Sequence, residues 1–226
     1  MAPTRRALAR ALEGLEDFEE PRADLEQYMT PADLAASIVH EAALRDDLRE
    51  RTVVDLGTGT GILAIAAREH GPARVIGLDV DRSALAVARR NAGEFAAPPD
   101  ASESPGEGPI RRPPIEWIRA DVRQHPLQVE TATVLSNPPF GAQDGRRHAD
   151  RAVLEACAGI ARVSYTIHNA GSEGFVEAFT ADNDGTVEAA YAAELPIDRR
   201  FDFHDRDRAT IPVEVYRIRW DGEDTD

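Results

Sequence analysis

The chain has 226 residues, a formal net charge of −15 at pH 7 and one cysteine. A single cysteine excludes an internal disulfide and a cysteine zinc site, and no apolar run approaches the roughly 20 residues that a membrane span needs. The basic N-terminus lacks the apolar segment of a secretory signal. These features predict a cytoplasmic protein in a reducing compartment, with no membrane partner.

All of the basic residues are arginine, since the sequence contains no lysine. Arginine is weakly hydrated, so arginine with excess carboxylates suits a protein kept in solution by concentrated salt. At about 1 M salt the Debye length is only about 3 Å, which screens the acidic groups from one another. The composition predicts a halophilic source, with GC-rich coding as the alternative. We expect stability against denaturant to rise from low to molar KCl; stability unchanged across that range would contradict the halophilic interpretation.

The first predicted element is an amphipathic helix over residues 1–20, within a helical extension at residues 1–24. Four apolar residues recur along it at helical spacing: Leu8, Leu12, Leu15 and Phe18. We expect this apolar face to pack on the rest of the protein. A second helix is predicted to begin near Thr30, because threonine is a common N-cap and Pro31 suits the first helical position.

From residue 52 onward, strand-like and helix-like segments alternate, which predicts an α/β fold with a doubly wound parallel sheet. The predicted strands are 52–56, 74–80, 115–121, 132–137, 162–168, 186–195 and 211–220. The predicted helices are 61–70, 81–95, 148–160 and 172–182. The last two strands follow each other directly. They predict an antiparallel hairpin at one edge of a seven-stranded, mostly parallel sheet.

One domain is predicted over residues 25–220, followed by an acidic tail at residues 221–226. Residues 96–114 interrupt this domain with a segment rich in proline, glycine, serine and acidic residues. Such a composition cannot bury enough apolar surface to order itself. We therefore predict a flexible surface insertion before the third strand.

A glycine-rich turn, DLGTGTG, follows the first strand. Its spacing is G-x-G-x-G, with Asp55 two residues before the first glycine, whereas dinucleotide-binding loops have G-x-G-x-x-G and face a pyrophosphate. Asp55 would repel a pyrophosphate but would attract the ammonium group of an amino acid. Gly57, Gly59 and Gly61 let the backbone turn sharply and approach a ligand closely.

Two further acidic residues end neighbouring strands of the predicted sheet. Asp79 ends the second strand, where an acid can bind both hydroxyls of a ribose. Asp121 ends the third strand and is placed to meet the amino group of an adenine. Together with Asp55, they favour S-adenosylmethionine over NAD as the cofactor. A tight structural turn is the alternative explanation of the glycines alone.

A second motif, Asn137-Pro138-Pro139-Phe140, follows the fourth strand. A planar amino nitrogen is a poor nucleophile because its lone pair is delocalised. The Asn137 side-chain oxygen and the Pro138 carbonyl can draw its hydrogens out of the plane, and the prolines hold both acceptors in place. Phe140 offers a face on which a base can stack. The motif predicts methyl transfer to a planar amino nitrogen; a strand-terminating turn is the alternative.

The histidines give a weaker signal than these two motifs. His125, His148 and His204 show no spacing typical of metal ligands, so no metal site is predicted. His168 ends a predicted strand, and it either faces the active site or packs in the core.

Several segments together resemble one family of methyltransferases. They are LEQYMT at 25–30, DLGTGTG at 55–61, NPPFG at 137–141, SYTIH at 164–168 and the closing run at 195–220. These segments resemble the methyltransferase-like protein 5 family, which makes N6-methyladenine in small-subunit ribosomal RNA. Thr58 and Thr60 stand where the family has cysteines, and Val80 stands where it has isoleucine.

The resemblance implies an archaeal class I methyltransferase that uses S-adenosylmethionine to methylate adenine N6 in structured RNA. It implies a cofactor pocket lined by Gln27, Thr30, Gly57, Thr60, Ile62, Asp79, Asp121 and Val122. It implies a target site formed by Asn137, Pro138, Pro139 and Phe140. A small zinc-binding activator protein, which covers a sheet edge in eukaryotic members, is a candidate partner.

Arginine is the residue type expected to hold RNA phosphates in such an enzyme. The candidates are Arg5, Arg6, Arg10, Arg146, Arg147, Arg199 and Arg200. A solvated surface arginine is the favoured alternative for each one taken singly.

Two other functions fit part of the pattern. A protein glutamine methyltransferase of the release-factor type more often carries Asn-Pro-Pro-Tyr, so Phe140 and residues 25–30 favour RNA. A non-catalytic cofactor-binding module of ribosome assembly is the second alternative. The presence of both Asn137 and Asp55 counts against a module without activity.

Overall fold

The computed structural model describes residues 2–95, 110, 112–139, 149–198 and 208–220. Several predicted features lie outside these ranges: Phe140, His148, His204, the arginines at 146, 147, 199 and 200, most of the insertion at 96–114, and the tail at 221–226.

One sheet of seven strands forms the centre of the described structure. The strands are β1 (Thr52–Leu56), β2 (Arg74–Asp79), β3 (Ile115–Arg119), β4 (Ala132–Ser136), β5 (Ala161–Asn169), β6 (Gly185–Asp198) and β7 (Arg208–Trp220). Their order is β3-β2-β1-β4-β5-β7-β6. The first five strands pair in parallel, and β7 is antiparallel to both β5 and β6. The predicted fold class is confirmed, and the closing hairpin is longer than predicted at its turn.

Helices cover both faces of this sheet. They are α1 (Arg5–Leu12), α2 (Ala32–Leu44), α3 (Ile62–Arg68), α4 (Arg82–Glu94), α5 (Ala149–Ile160) and α6 (Glu173–Asp182). The core on one face includes α1, α2 and α3, and the core on the other includes α5 and α6. Within the described ranges, no helix is long and apolar enough to cross a bilayer.

The central strands are short and apolar because both of their faces are covered. In β1, the side chains of Val53, Val54 and Leu56 are all fully buried. The register places Leu56 beside Leu78 of β2 and beside Ser136 of β4. The carboxyl ends of these strands therefore lie at one edge of the sheet, where open parallel sheets bind ligands.

The predicted helix over residues 1–20 is wrong beyond its first half. Only Arg5–Leu12 is helical, with Thr4 as its N-cap. Leu8 and Leu12 are buried as expected, but Phe18 follows in a non-helical segment. The backbone N–H of Glu16 donates to the Asn91 side chain instead of to a helical carbonyl. A tertiary contact thus replaces the helix that local periodicity favoured.

The predicted capping role of Thr30 is also wrong. Helix α2 begins at Ala32, its N-cap is Pro31, and no side chain caps it. The Thr30 hydroxyl accepts a hydrogen bond from Asn137 Nδ2. The polar residue before the helix therefore serves a contact between distant segments.

Two buried histidines make the fold sensitive to acid. Burial lowers the pKa of His70, and that of His168, to about 4. Because the unfolded chain takes up these protons near pH 6.5 and the folded chain does not, the free energy of unfolding falls as the pH drops from about 6.5 to 4. Each histidine contributes about 3 kcal/mol to this fall.

The matched variant is His70→Leu, because neither ring nitrogen of His70 has a partner among the described residues. Denaturant unfolding at pH 7 and pH 4.5 should show a smaller acid loss in this variant than in the wild type. An equal acid loss in both proteins would rule out His70 as a source of the effect.

Candidate active site

A cavity of about 550 Å³ opens at the carboxyl edge of the first four strands. It brings together residues 25–30, the glycine-rich turn after β1, and the segments that follow β2, β3 and β4. The predicted site residues that line it are Gln27, Thr30, Asp55, Gly57, Gly59, Thr60, Ile62, Asp79, Asp121, Val122, Asn137, Pro138 and Pro139. Gly61 is not among the lining residues, and Phe140 lies outside the described part of the chain.

Gly61 has a packing role behind the turn. Its φ is +88°, and a Cβ there would lie 2.8 Å from the Trp117 side chain and 3.1 Å from the Ala88 Cβ. The residue therefore lets α3 begin close against β3 and α4. The cofactor contact predicted for Gly61 stays a prediction, and the structure adds this packing role to it.

Asp55 is almost fully buried at the wall of the cavity, with 1% of its surface exposed. Its Oδ2 accepts hydrogen bonds from the Thr58 hydroxyl at 2.6 Å and from the Ala64 N–H at 3.0 Å. Its Oδ1 is buried and has no partner among the described residues. Burial raises the pKa of Asp55 to about 7. A buried carboxylate oxygen of this kind requires a cationic or hydrogen-bonding partner, which an ammonium group supplies.

Asp79 holds the glycine-rich turn against the end of β2. Its Oδ2 accepts from the Gly59 N–H and its Oδ1 accepts from the Asp81 N–H, each over 2.8 Å. Burial raises the pKa of this carboxyl group. Each carboxylate oxygen has further acceptor capacity, so the contacts leave Asp79 able to accept from ribose hydroxyls.

Gln27 and Asp121 occupy two other sides of the cavity. Gln27 is buried, and its Nε2 donates to Asp81 Oδ2 over 2.7 Å, which ties residues 25–30 to the start of α4. Asp121 follows β3, and its Oδ1 accepts from the backbone N–H and Nε of Arg123. The carboxylate predicted to meet an adenine amino group therefore has an arginine partner.

Asn137 lies where β4 ends, and it presents an acceptor atom to the site. Its Nδ2 donates to the Thr30 hydroxyl oxygen over 3.0 Å. Its Oδ1 is buried and has no hydrogen-bond partner among the described residues. The preceding residue, Ser136, donates to the Leu56 carbonyl over 2.7 Å and so joins the ends of β4 and β1. A rigid acceptor is thereby held beside the glycine-rich turn.

Two residues of the cavity region escaped prediction from the sequence. Phe18 lines the cavity and covers the turn so closely that a Cβ at Gly59 would lie 2.9 Å from its ring. Asn91 is 2% exposed on the apolar face of α4. Its Nδ2 donates to the carbonyls of Glu16 and Thr60, each over 2.9 Å. In the sequence, the signal for this role is a single asparagine among the apolar positions of the helix predicted over residues 81–95.

Asn91 thus fastens the segment that carries Phe18 to the glycine-rich turn. Asn91→Ala should weaken cofactor binding about tenfold and lower the unfolding free energy by about 1–3 kcal/mol, because it leaves buried backbone groups unpaired. Titration calorimetry and denaturant unfolding measure the two effects. Arg90→Ala is the matched control, since it removes only exposed ion pairs to Glu16 and Glu19. Equal losses of cofactor affinity in both variants would contradict this role of Asn91.

Known proteins resemble this chain over nearly its full length. An uncharacterized protein of Methanocaldococcus jannaschii is 35% identical over 95% of this chain and 93% of its own. The rRNA N(6)-adenosine-methyltransferase Mettl5 of Drosophila melanogaster is 28% identical over 94% of this chain and 95% of its own. The crystal structure of a candidate RNA methyltransferase from Pyrococcus horikoshii matches with a TM-score of 0.81 and 33% identity, over 97% of this chain and 99% of that one.

A family model matches a shorter part of the chain. Residues 38–101 fit the model of ribosomal protein L11 methyltransferase (PrmA). This stretch contains Asp79 and the glycine-rich turn, which contributes Gly57, Gly59 and Thr60 to the lining of the cavity. The fold, the cavity and the full-length relatives agree: the chain belongs to the methyltransferase-like protein 5 family and is a class I methyltransferase that uses S-adenosylmethionine.

Proposed function

We propose that this chain methylates the N6 amino group of an adenine in structured ribosomal RNA, in the small subunit. The observation that carries the proposal is the buried Oδ1 of Asn137, which has no partner among the described residues and lies at the cavity. A hydrogen-bond acceptor fixed in this way suits a substrate that presents an N–H group to be methylated. The Drosophila relative, whose name states rRNA N6-adenosine as its substrate, supports adenine as that group.

In the proposed reaction, the side chains prepare the amino nitrogen. Asn137 Oδ1 accepts one amino hydrogen and the Pro138 carbonyl accepts the other, which draws both out of the base plane and restores the lone pair on nitrogen. Asp55 and Asp79 would hold S-adenosylmethionine, which would supply a methyl carbon bonded to a sulfonium that keeps the electron pair of the carbon–sulfur bond. The new nitrogen–carbon bond forms from the lone pair of N6. The methylated nitrogen is acidic and loses its extra proton to solvent, so no strong base is needed.

On the cofactor side, the same edge of the sheet offers a complementary set of polar groups. Asp55 Oδ1 would accept from the ammonium of the methionine moiety, and Asp79 would accept from the ribose. Gln27 would hold residues 25–30 at one side of the cavity, and Phe18 would cover the glycine-rich turn. These assignments rest on the unpartnered oxygen of Asp55, on the position of Asp79 beside the turn, and on the lining residues.

The small zinc-binding activator remains a prediction of the resemblance. Strand β3 is at the edge of the sheet, where such a partner would bind. The insertion at 96–114 precedes β3 directly, and only Ile110 and residues 112–114 of it are described.

Comparison of ribosomal RNA from a wild-type strain and a strain lacking this gene tests the proposal. Mass spectrometry of the nucleosides should show the loss of one N6-methyladenine from the small-subunit RNA of the deletion strain, and Asn137→Ala should fail to restore it. Unchanged N6-methyladenine would contradict the proposal. The loss of a methylglutamine from a release factor would assign the chain to protein glutamine methylation instead.

A further inference from the structure

We infer that Thr30 is the positioning residue of Asn137, fixing the side-chain amide so that Oδ1 faces the acceptor nitrogen. The inference rests on the proposed function for the role of Asn137. Thr30 is 4% exposed, and its hydroxyl oxygen accepts the hydrogen bond from Asn137 Nδ2 over 3.0 Å. The two residues are 107 positions apart, so the contact joins the segment before α2 to the end of β4.

The two ends of an asparagine amide have almost the same shape and opposite hydrogen-bonding character. The oxygen accepts hydrogen bonds, and the NH₂ group only donates them. If the Asn137 amide turned over, its NH₂ group would meet the amino group of the acceptor, donor against donor. A partner for Nδ2 is therefore as important to the chemistry as the free oxygen.

Thr30 supplies this partner because its hydroxyl is not used elsewhere in the described structure. Threonine before a helix commonly caps it, but here no side chain caps α2. Thr30 also lines the cavity, so its hydroxyl proton is able to donate to an acceptor atom of the molecule that fills the cavity. A hydroxyl whose proton is engaged in this way has only lone pairs left for Asn137, which selects the orientation with Nδ2 toward Thr30.

A pair of substitutions separates this role from simple packing. Thr30→Val keeps the shape and removes the acceptor, whereas Thr30→Ser keeps the acceptor and removes a methyl group. In single-turnover methylation at saturating cofactor, the valine variant should be slower than the wild type by at least about thirtyfold. The serine variant should stay within about threefold. Because Thr30 lines the cavity, calorimetry measures the cofactor dissociation constant of each variant separately, and the transfer rates are compared only at saturating cofactor, so that a change in cofactor affinity does not enter the comparison.

The Asn137 side-chain amide gives a second readout that does not depend on activity. Its ¹⁵N–¹H resonances are identified by their loss in Asn137→Ala. We expect one of its protons to be shifted downfield and protected from exchange in the wild type and in Thr30→Ser, and to lose both properties in Thr30→Val.

The outcomes distinguish this inference from the proposed function. A valine variant that transfers methyl groups at the wild-type rate would overturn the inference and leave the proposed function intact. A wild type that modifies no RNA would contradict the proposed function; the amide resonances then decide, and unchanged resonances in Thr30→Val would overturn the inference.

Discussion

Asn137→Ala should reduce methyl transfer by about 10²–10³-fold or more, while the dissociation constant of the cofactor changes by less than about threefold. The substitution removes the acceptor that directs the lone pair of the amino nitrogen, and the loss of one preorganised polar group of this kind costs such a factor in other enzymes. The residues that contact Asp55 and the glycine-rich turn are untouched. Single-turnover rates and calorimetric titration measure the two quantities separately.

A matched control is available in another asparagine. Asn183 lies at the end of α6, and its Nδ2 donates to the Phe179 carbonyl over 2.8 Å, away from the residues that line the cavity. Asn183→Ala should methylate at the wild-type rate. If Asn137→Ala were as active as this control, the mechanism proposed for the target site would be wrong.

The second large effect is a pH dependence of cofactor affinity that is set by the ionisation of Asp55. Burial raises its pKa to about 7 in the absence of a ligand, and binding of an ammonium group requires the ionised form. The affinity for S-adenosylmethionine should therefore fall about tenfold for each pH unit below about 7 and level off above it. Calorimetry across pH 5.5–8.5 in buffers of different ionisation enthalpy measures both the affinity and the proton released on binding.

Asp55→Asn should remove this pH dependence and weaken binding at pH 8 by about one to two orders of magnitude, because an ammonium partner within a buried site is lost. The folded wild type binds a proton between pH 4 and 7 that the unfolded chain does not, so ionisation of Asp55 lowers the unfolding free energy as the pH rises through this range. A pH dependence of affinity that persisted in Asp55→Asn would contradict the assignment of the proton to this residue.

The sheet and the glycine-rich turn were predictable because their signals are local. Strand β1 has the predicted bounds, and α4 lies within the helix predicted over residues 81–95, with Asp81 as its N-cap. The acids at Asp55 and Asp79 follow from the rule that ligands bind at the carboxyl ends of parallel strands. The order of the strands then explains why both acids line one cavity, since β1 and β2 are neighbours in the sheet.

Contacts between distant residues were not predictable from the sequence. The Asn91 side chain binds the backbone of Glu16 across 75 positions, and this contact replaces the helix predicted beyond Leu12. Arg217 donates to the buried Asp47 carboxylate across 170 positions, and Tyr165 donates to the same oxygen. Charged and polar residues of this kind look like solvated surface in the sequence, because their partners are defined only by the folded chain.

The bond between Thr30 and Asn137 belongs to the same class. Each residue has a local explanation, as a helix cap and as a turn after a strand, and the local explanation of Thr30 is wrong. The candidate active site contains such pairs, so its geometry had to come from the structure, whereas its list of residues came from two motifs and from the family resemblance.

The most direct test of the central claim uses small-subunit ribosomal RNA from the deletion strain, the purified protein, and S-adenosylmethionine with a trideuterated methyl group. After digestion, mass spectrometry should find trideuteromethyl N6-methyladenosine from one position of the RNA with the wild type and none with Asn137→Ala. Label that appears in no RNA nucleoside, or at a position other than the N6 of adenine, would contradict the claim.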